Sequence, residues 1–322
     1  MLILTNFAYH RPTTMTEVLS LIKDGDIIIA GGSDLIPQLK CSSIPAPDGI
    51  VDLSGIKELK IIEEKSDGIH IGAMTILAHA AKNDLVLDKL PAVAEAARNV
   101  ASPQIRNRGT VGGNVMQSRR CFYYNQTKEW RQGIPLCFKV GGSRCLQIQN
   151  SPVCRAIYYS DLAPVLLAYD AKVVVNIEGE DTTINCRDII DAHCQDHDKK
   201  KMLIKEFLFP KASYSGVFSS FAKYSLRGSI DFPVINFACA CGAGTPRIFV
   251  GAIATNVLEL TATEAYVQDK RNNIDVSEAL EIALGEMNKN SQIIREAGIS
   301  VQVKRGTFRY IESMLADIKR HI

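Results

Sequence analysis

The sequence lacks the features that assign a protein to a broad class at once. It contains no run of 18 apolar residues, no basic leader followed by a cleavage site, and no strongly basic face or tail. These absences argue against a membrane span and against nucleic-acid binding, and we expect a cytoplasmic protein. A net charge of +2 and a hydrophobic content of 46% are ordinary for a soluble globular protein.

The common signatures of nucleotide and zinc binding are also missing. No GxGxxG follows a predicted strand and no GK[ST] is present, so neither a Rossmann fold nor a P-loop is predicted. The nine cysteines include no closely spaced C-x₂₋₄-C pair, which argues weakly against structural zinc. In a reducing cytoplasm we do not expect these cysteines to form disulfides.

The chain does contain short apolar segments separated by turn residues. Its 322 residues predict two or three packed units. Up to about residue 210 the pattern mixes helical and strand periods, and from about residue 213 it alternates like antiparallel strands followed by two helices. We therefore predict an α+β fold with a second unit beginning near residue 213.

Two glycine-rich motifs stand out, AGGSDL at 30–35 and NRGTVGGNV at 107–115. Glycine allows a backbone to approach a ligand closely, and successive N–H groups can then surround a pyrophosphate. Ser33, Thr110 and the two asparagines of the second motif add neutral donors. Each glycine pair alone could form a plain turn, but two such loops after predicted core elements favour a phosphate cradle.

Four cysteines fall within 34 residues, at Cys121, Cys137, Cys145 and Cys154. Four thiolates can complete a zinc site or a [4Fe–4S] cluster, and they can also remain unligated. Their spacing does not choose among these possibilities. The segment has no predicted secondary structure, and a loop of this length is usually functional or disordered.

The order of the motifs carries a family resemblance. AGGSDL, IGAMT at 71–75, NRGTVGGNV and SDLAPVLLAYDA at 160–171 resemble the FAD-binding subunit of the molybdenum hydroxylases, the xanthine dehydrogenase and carbon monoxide dehydrogenase family. The later stretch FAKYSLRGSIDFPVINFA resembles the C-terminal domain of that subunit. The resemblance implies a two-subdomain FAD-binding fold of the vanillyl-alcohol-oxidase type, at 1–56 and 57–210, followed by an antiparallel sheet-and-helix domain at 213–322.

The resemblance also implies a set of FAD contacts. The positions are Ala30, Gly31, Gly32, Ser33, Asp34, Leu35, Thr75, Asn107, Gly109, Thr110, Gly112, Gly113, Asn114, Ser160, Asp161 and Lys223. The backbone N–H groups of both glycine loops would surround the pyrophosphate. Asp161 would accept from ribose hydroxyls, and Lys223 would approach the isoalloxazine, where a cation favours negative charge on reduced flavin. Asp161 and Thr75 could instead cap helices, and Lys223 could be a solvated strand residue.

The cysteine segment is an insertion relative to ordinary members of the family, in which the GGNV loop runs almost directly into the SD-containing helix. The text around the four cysteines resembles the 4-hydroxybenzoyl-CoA reductase branch, whose flavin subunit carries an extra [4Fe–4S] cluster. This implies that Cys121, Cys137, Cys145 and Cys154 bind such a cluster within an insertion at 116–159. Leu226 and Arg227 stand where relatives often have two arginines, which puts in doubt any role that needs the first one.

The function that this resemblance implies is electron transfer within a larger complex. The chain has no molybdopterin-binding feature and no plant-type [2Fe–2S] motif, so we expect a molybdopterin-binding large subunit and a [2Fe–2S] small subunit as partners, with ferredoxin or NAD(H) as external partner. The alternatives are the flavin subunit of a xanthine, aldehyde or N-heterocycle dehydrogenase, a stand-alone flavin reductase, and a structural subunit held by zinc.

Overall fold

Helices and three sheets make up the part of the chain that the computed structural model describes, residues 4, 6–195, 202–228, 230–242, 244–296 and 299–322. The strands are β1 (Ala8–His10), β2 (Ile27–Ile29), β3 (Gly49–Asp52), β4 (Ile62–Glu64), β5 (Gly68–Gly72), β6 (Lys172–Ile177), β7 (Glu180–Asn185), β8 (Met202–Pro210), β9 (Phe218–Tyr224), β10 (Ile235–Cys241), β11 (Arg247–Gly251) and β12 (Leu258–Glu259). The helices are α1 (Met15–Leu21), α2 (Leu35–Lys40), α3 (Leu77–Ala80), α4 (Asp84–Lys89), α5 (Pro91–Asn99), α6 (Pro103–Arg106), α7 (Val111–Val115), α8 (Lys128–Arg131), α9 (Leu162–Ala168), α10 (Cys186–Gln195), α11 (Thr261–Asp269), α12 (Val276–Asn290), α13 (Val301–Gly306) and α14 (Ile311–His321). None of the described helices is long and apolar enough to cross a membrane.

The first sheet is parallel, with the strand order β1-β3-β2. Its central strand β3 is built from apolar residues and is buried. Helix α1 contributes Met15 and Val18 to the same small core, and Thr14 caps that helix by accepting from the N–H of Glu17. A parallel pair needs a crossover between its strands, and α2 with the glycine loop at 30–35 lies in the crossover from β2 to β3. The sheet therefore fixes where that loop begins.

The second sheet is antiparallel, with the order β4-β5-β8-β6-β7. Strand β8 lies between β5 and β6, so Phe207 pairs with Ile71 on one side and with Val173 on the other. All three side chains are fully buried. The pairing joins strands that are more than 100 residues apart, and all five strands fall within residues 57–210, the range predicted for the second unit. The exact boundaries at 56 and 213 remain our interpretation.

The third sheet is also antiparallel, with the order β12-β11-β10-β9. Strand β10 is buried along its whole length because both faces are covered. Ala238 and Ala240 face a core shared with α5 and α9, whereas Cys239 and Cys241 face a core shared with α12 and α14. Helices α5 and α9 therefore pack between the second and third sheets, and the predicted α+β class is confirmed.

The insertion at 116–159 is mostly irregular and contains only α8 and one 3₁₀ turn at Phe138–Val140. Its two ends meet, because Arg120 and Ile157 exchange backbone hydrogen bonds of 2.8 Å in both directions. Further along, the N–H of Lys128 donates to the carbonyl of Cys41 across 3.1 Å. The insertion thus leaves and re-enters the fold at one point, between α7 and α9.

Two local predictions are wrong. The glycine-rich stretch 107–115, predicted as a loop, contains the helix α7. Thr110 caps this helix, and a cap can start a short helix even where glycine weakens its interior. The polar composition of the stretch after residue 191 favours a loop, but the stretch is helical to Gln195, with Cys194 buried against the core. Residues 196–201 of that stretch lie outside the described residues.

Candidate cofactor site

The two glycine loops predicted to form a cradle pack directly against each other. A Cβ atom on Gly31 would lie 1.9 Å from the carbonyl oxygen of Arg108, and one on Gly113 would lie 3.8 Å from the Cβ of Ala30. Gly32 has a φ angle of +75°, which a side chain would strain. Glycine is therefore required at position 31 by the close approach of the loops and at position 32 by the backbone conformation.

The first loop has unused hydrogen-bond donors. Within the described residues, the backbone N–H groups of Gly31, Gly32, Ser33 and Asp34 donate to no acceptor of the chain. These four residues are partly exposed, so the donors can reach a ligand. Consecutive N–H groups of this kind form an anion-binding concavity, which is the environment that a phosphate requires.

The second loop behaves differently from the prediction. The N–H group of Gly112 donates to the carbonyl of Ala73 across 2.8 Å, and that of Gly113 donates to the hydroxyl of Thr110 across 3.1 Å. The N–H group of Gly109 is also used inside the chain. The N–H groups of Gly109, Gly112 and Gly113 are therefore not available to a ligand in this arrangement. The expectation that they surround a pyrophosphate stays a prediction without support from these hydrogen bonds.

Asp34 connects the first loop to the insertion. Its carboxylate accepts from the side chain of Gln38 (2.9 Å), from the N–H of Ser118 (2.9 Å) and from the guanidinium of Arg120 (2.5 Å). The neighbouring Leu35 begins α2. Because Arg120 offsets the carboxylate charge, Asp34 does not leave an unpaired negative group beside the free N–H donors.

The predicted polar contacts between the loops have structural partners. Thr75 is buried, and its hydroxyl donates to the carbonyl of Ile61 across 3.3 Å, so it does not cap α3, which begins two residues later. Thr110 is also buried and caps α7. Asn107 is exposed at the end of α6. Of these three side chains, only that of Asn107 lies open to solvent.

Asn114, just before the insertion, and Ser160, just after it, are joined by a hydrogen bond. The side-chain oxygen of Asn114 accepts from the hydroxyl of Ser160 (2.7 Å) and from the N–H of Leu162 (3.2 Å). Ser160 in turn accepts from the N–H of Ala163 across 3.0 Å and so caps α9. Helix α7 and helix α9 are thereby held together however long the intervening insertion is.

Asp161 and Lys223 form a buried ion pair of 2.9 Å. Lys223 also donates to the carbonyl of Asn99, and Asn236 donates to the other oxygen of Asp161 across 2.9 Å. Burial raises the pKa of the Asp161 carboxyl, and the contacts of Lys223 and Asn236 oppose that rise. Neither alternative interpretation holds, since Asp161 makes no capping bond and Lys223 is not solvated. The two side chains also cannot serve opposite ends of one extended FAD while they touch each other.

The four cysteines of the insertion line one small cavity. The walls are Cys121, Tyr123, Tyr124, Cys137, Phe138, Lys139, Arg144, Cys145, Leu146, Cys154, Arg155 and Ala156. Three of these side chains are cationic and none is acidic. Two sulfur atoms already accept N–H hydrogen bonds, Cys121 from Gln147 and Cys154 from the backbone of Ala156. An anionic group bound by thiolates would be stabilised by such surroundings.

The aromatic residues expected around the cysteines are packed together. The rings of Phe122 and Tyr123 lie 5.4 Å apart, and the ring of Trp130 lies 5.9 Å from that of Phe122. Within the described part of the chain, no group of three or more His, Cys, Asp or Glu side chains is arranged to hold a metal ion. Four sulfurs around a single zinc would lie about 3.8 Å from one another, so the zinc reading gains no support.

A second and larger cavity of about 310 Å³ lies on the other side of Cys121. Arg120, which holds Asp34 of the first glycine loop, lines it. Its far wall includes Phe232 and Val234 of the C-terminal region, and the Arg120 guanidinium lies 4.3 Å from the centre of the Phe232 ring. Cys121 lines both cavities, which therefore share one wall.

Sequence reasoning missed two residues of this region, Arg120 and Gln147. Arg120 connects the glycine loop to the larger cavity, and Gln147 donates to a cysteine sulfur. Both lie in an irregular segment where no helical or strand period marks which side chains point inward. The only signal for Arg120 was its position next to Cys121.

Comparison with known proteins adds the family. Residues 5–212, well over half of the chain, match the family described as FAD binding domain in molybdopterin dehydrogenase. The carbon monoxide dehydrogenase medium chain of Hydrogenophaga pseudoflava is 37% identical over 114 residues, 34% of this chain, and the match spans only 39% of that relative. The xanthine dehydrogenase FAD-binding subunit of Escherichia coli O157:H7 is 24% identical over 85% of this chain and 83% of its own length.

Solved structures agree on the fold. The quinoline 2-oxidoreductase structure from Pseudomonas putida 86 superimposes with a TM-score of 0.76 at 17% identity, covering 99% of this chain and 98% of that one. The relatives' names describe dehydrogenase and oxidoreductase subunits. The chain belongs to the family of FAD-binding domains in molybdopterin dehydrogenases.

Proposed function

We propose that this chain is the FAD- and [4Fe–4S]-carrying electron-transfer subunit of a molybdenum hydroxylase complex, most like 4-hydroxybenzoyl-CoA reductase. The observation that carries the proposal is the shared wall of the two cavities. One cavity gathers the four cysteines, the other is lined by Arg120, which donates to Asp34 of the first glycine loop, and Cys121 belongs to both. A redox group in each would be separated by little more than one side chain.

The residues of the first loop fit FAD. The free N–H groups of 31–34 suit a pyrophosphate, and a ring system can enter the 310 Å³ cavity that Arg120 links to this loop. We assign the pyrophosphate to residues 30–34 and the isoalloxazine to the cavity lined by Tyr159 and Phe232. Asp161, Lys223, Ser160 and Asn114 then act mainly by fixing the elements around the site.

The cysteine cavity supplies the four thiol donors that a [4Fe–4S] cluster needs. Each of the four cysteines would bind a different iron, which requires a wider arrangement of sulfurs than one metal ion does. The cations Lys139, Arg144 and Arg155 and the two N–H···S bonds suit its negative charge. When bound, FAD supplies two-electron chemistry and the cluster supplies one-electron transfer.

The charge of the insertion supports an acidic external partner. Seven of the chain's 37 lysines and arginines lie within 116–159, but only one of its 35 acidic residues, Glu129, does. Lys128 and Arg144 are exposed, as are the apolar side chains of Leu136 and Val153. An acidic one-electron carrier such as a ferredoxin fits this face, since complementary charge accelerates association. The complex would also contain a molybdopterin-binding large subunit and a [2Fe–2S] small subunit.

The second candidate is the flavin subunit of a xanthine, aldehyde or N-heterocycle dehydrogenase that uses NAD or another acceptor. The near full-length match to a xanthine dehydrogenase FAD-binding subunit favours it. The substrate site would lie on the partner chain in both cases, so the flavin subunit does not select the substrate.

The test is the composition of the chain purified without oxygen. We expect one FAD, about four irons and about four acid-labile sulfides per chain. FAD without iron would overturn the cluster and favour the second candidate, the flavin subunit of a dehydrogenase without this cluster. One zinc without iron would show a structural metal site. Turnover of NADPH with a sugar nucleotide by the chain alone would indicate a stand-alone flavin reductase.

A further inference from the structure

Gln147 holds the insertion against the C-terminal part of the chain. Its side-chain nitrogen donates to the carbonyl oxygen of Arg295 across 2.9 Å, and its side-chain oxygen accepts from the N–H of the same residue across 3.1 Å. A backbone N–H can only donate and a carbonyl can only accept. The two bonds to Arg295 therefore fix which end of the Gln147 amide is the NH₂ group.

The fixed NH₂ group has a second hydrogen, and Cys121 lies within its reach. The nitrogen of Gln147 is 3.4 Å from the sulfur of Cys121, a hydrogen-bond distance for an N–H···S contact. Gln147 thus bridges a backbone amide 148 residues further along the chain and one of the four clustered sulfurs. Cys121 is also the sulfur that lines the larger cavity.

Both chain neighbours of Arg295, which anchors this amide, are held by contacts of their own. Ile294 is buried in a small cluster with Ile157 and Tyr159, and Glu296 forms an ion pair with the buried Lys304. The guanidinium of Arg295 lies 4.7 Å from the centre of the Phe122 ring, next to Cys121. Backbone and side chain of Arg295 therefore hold both Gln147 and the residue that follows Cys121.

We propose that Gln147 is a positioning residue that raises the reduction potential of the cluster through its hydrogen bond to Cys121, an inference that rests on the proposed function. An N–H donor at a ligand sulfur stabilises the more negative, reduced state more than the oxidised state. Removing the donor lowers the potential. The effect acts on the one ligand that faces both cavities.

Three variants test this. Gln147→Leu removes the donor, and Gln147→Glu keeps an oxygen for the N–H of Arg295 but replaces the donor with an anion. Gln149→Leu is the matched control, because Gln149 is an exposed glutamine two residues away. Iron content and the midpoint potential of the cluster, from an EPR-monitored redox titration, are measured on all four proteins without oxygen.

We expect equal iron in all four proteins and a potential order of wild type and Gln149→Leu above Gln147→Leu, with Gln147→Glu lowest. Gln147→Leu should show roughly a tenfold lower ratio of reduced to oxidised cluster at the wild-type midpoint, about 59 mV for one electron. Equal potentials in iron-containing proteins would overturn this inference alone. Iron lost from both Gln147 variants would show a purely structural role and also overturn it, whereas a wild type without iron would overturn the proposed function as well.

Discussion

Lys223 donates to Asp161 across 2.9 Å with both side chains buried, 5% and 3% exposed, and so joins strand β9 of the C-terminal sheet to the start of α9 in the flavin-binding part. Each member of the pair makes a further hydrogen bond: Lys223 donates to the carbonyl of Asn99, and Asp161 accepts from the side chain of Asn236. A charge pair that is this well enclosed is sensitive to the loss of one member, since the other is left buried without a partner.

Lys223→Met should therefore destabilise the chain by about 3–5 kcal/mol. The free energy of unfolding, from denaturant titration at neutral pH, measures the effect. The double variant Lys223→Met with Asp161→Asn should recover part of the loss, because no unpaired carboxylate remains. A single variant within about 0.5 kcal/mol of wild type would show that the pair is not closed in solution.

Gly31→Ala should weaken FAD binding and destabilise the fold by about 1–3 kcal/mol, because the new methyl group would meet the carbonyl oxygen of Arg108 and push the two loops apart. The FAD-to-protein ratio and the unfolding free energy are both measured. Gly285→Ala in α12 is the control, since a Cβ there meets nothing and alanine favours a helix. Full FAD content in Gly31→Ala would contradict the position assigned to the pyrophosphate.

Cys137→Ser should lose iron and the broad absorbance of the cluster while FAD remains bound, because the cysteine cavity and the glycine loop are separate sites. Cys41→Ser is the control, since Cys41 is partly exposed and lies outside the cavity. Unchanged iron in Cys137→Ser would show that the ligand set is wrong, and equal loss of iron from both variants would point to general unfolding.

Glu264 predicts a pH dependence of stability. Burial raises its pKa to about 7, the nearby Glu259 adds to the rise, and the N–H of Ile248 opposes it. The folded state therefore holds a proton that the unfolded state loses near pH 4.3, and the stability of the fold decreases as pH rises from about 4.3 to about 7. In Glu264→Gln this decrease should be absent, so the difference in unfolding free energy between wild type and variant should change between about pH 4.3 and about pH 7. If this difference in unfolding free energy did not change with pH, the Glu264 carboxyl would be solvated in the folded protein.

Lys128→Glu should slow electron transfer from an acidic carrier severalfold at low salt, because this cation lies on the exposed face of the insertion. The difference should shrink at high salt. Stopped-flow reduction by a reduced ferredoxin measures the rate, and Lys89→Glu in α4 is the charge-matched control. An equal slowing by the control would assign the effect to net charge.

The sequence by itself determined the family, the fold class and the positions of the two glycine loops and four cysteines. These follow from local properties, since apolar periods, glycine pairs and motif order are all written in consecutive residues. The same local view failed at α7, where capping by Thr110 outweighs the two glycines inside the helix.

Tertiary structure alone decided which groups are free and which are used. Both glycine loops offer similar N–H groups in the sequence. Within the described residues, those of 31–34 find no acceptor, whereas the turn after β5 accepts from Val111 and Gly112, and Gly109 and Gly113 donate within their own segment. Asp161 and Lys223 likewise lie 62 residues apart and pair because β9 packs on α5 while the neighbouring strand β10 packs on α9. Hydrogen bonds and charge pairs between distant segments depend on packing, which no local pattern records.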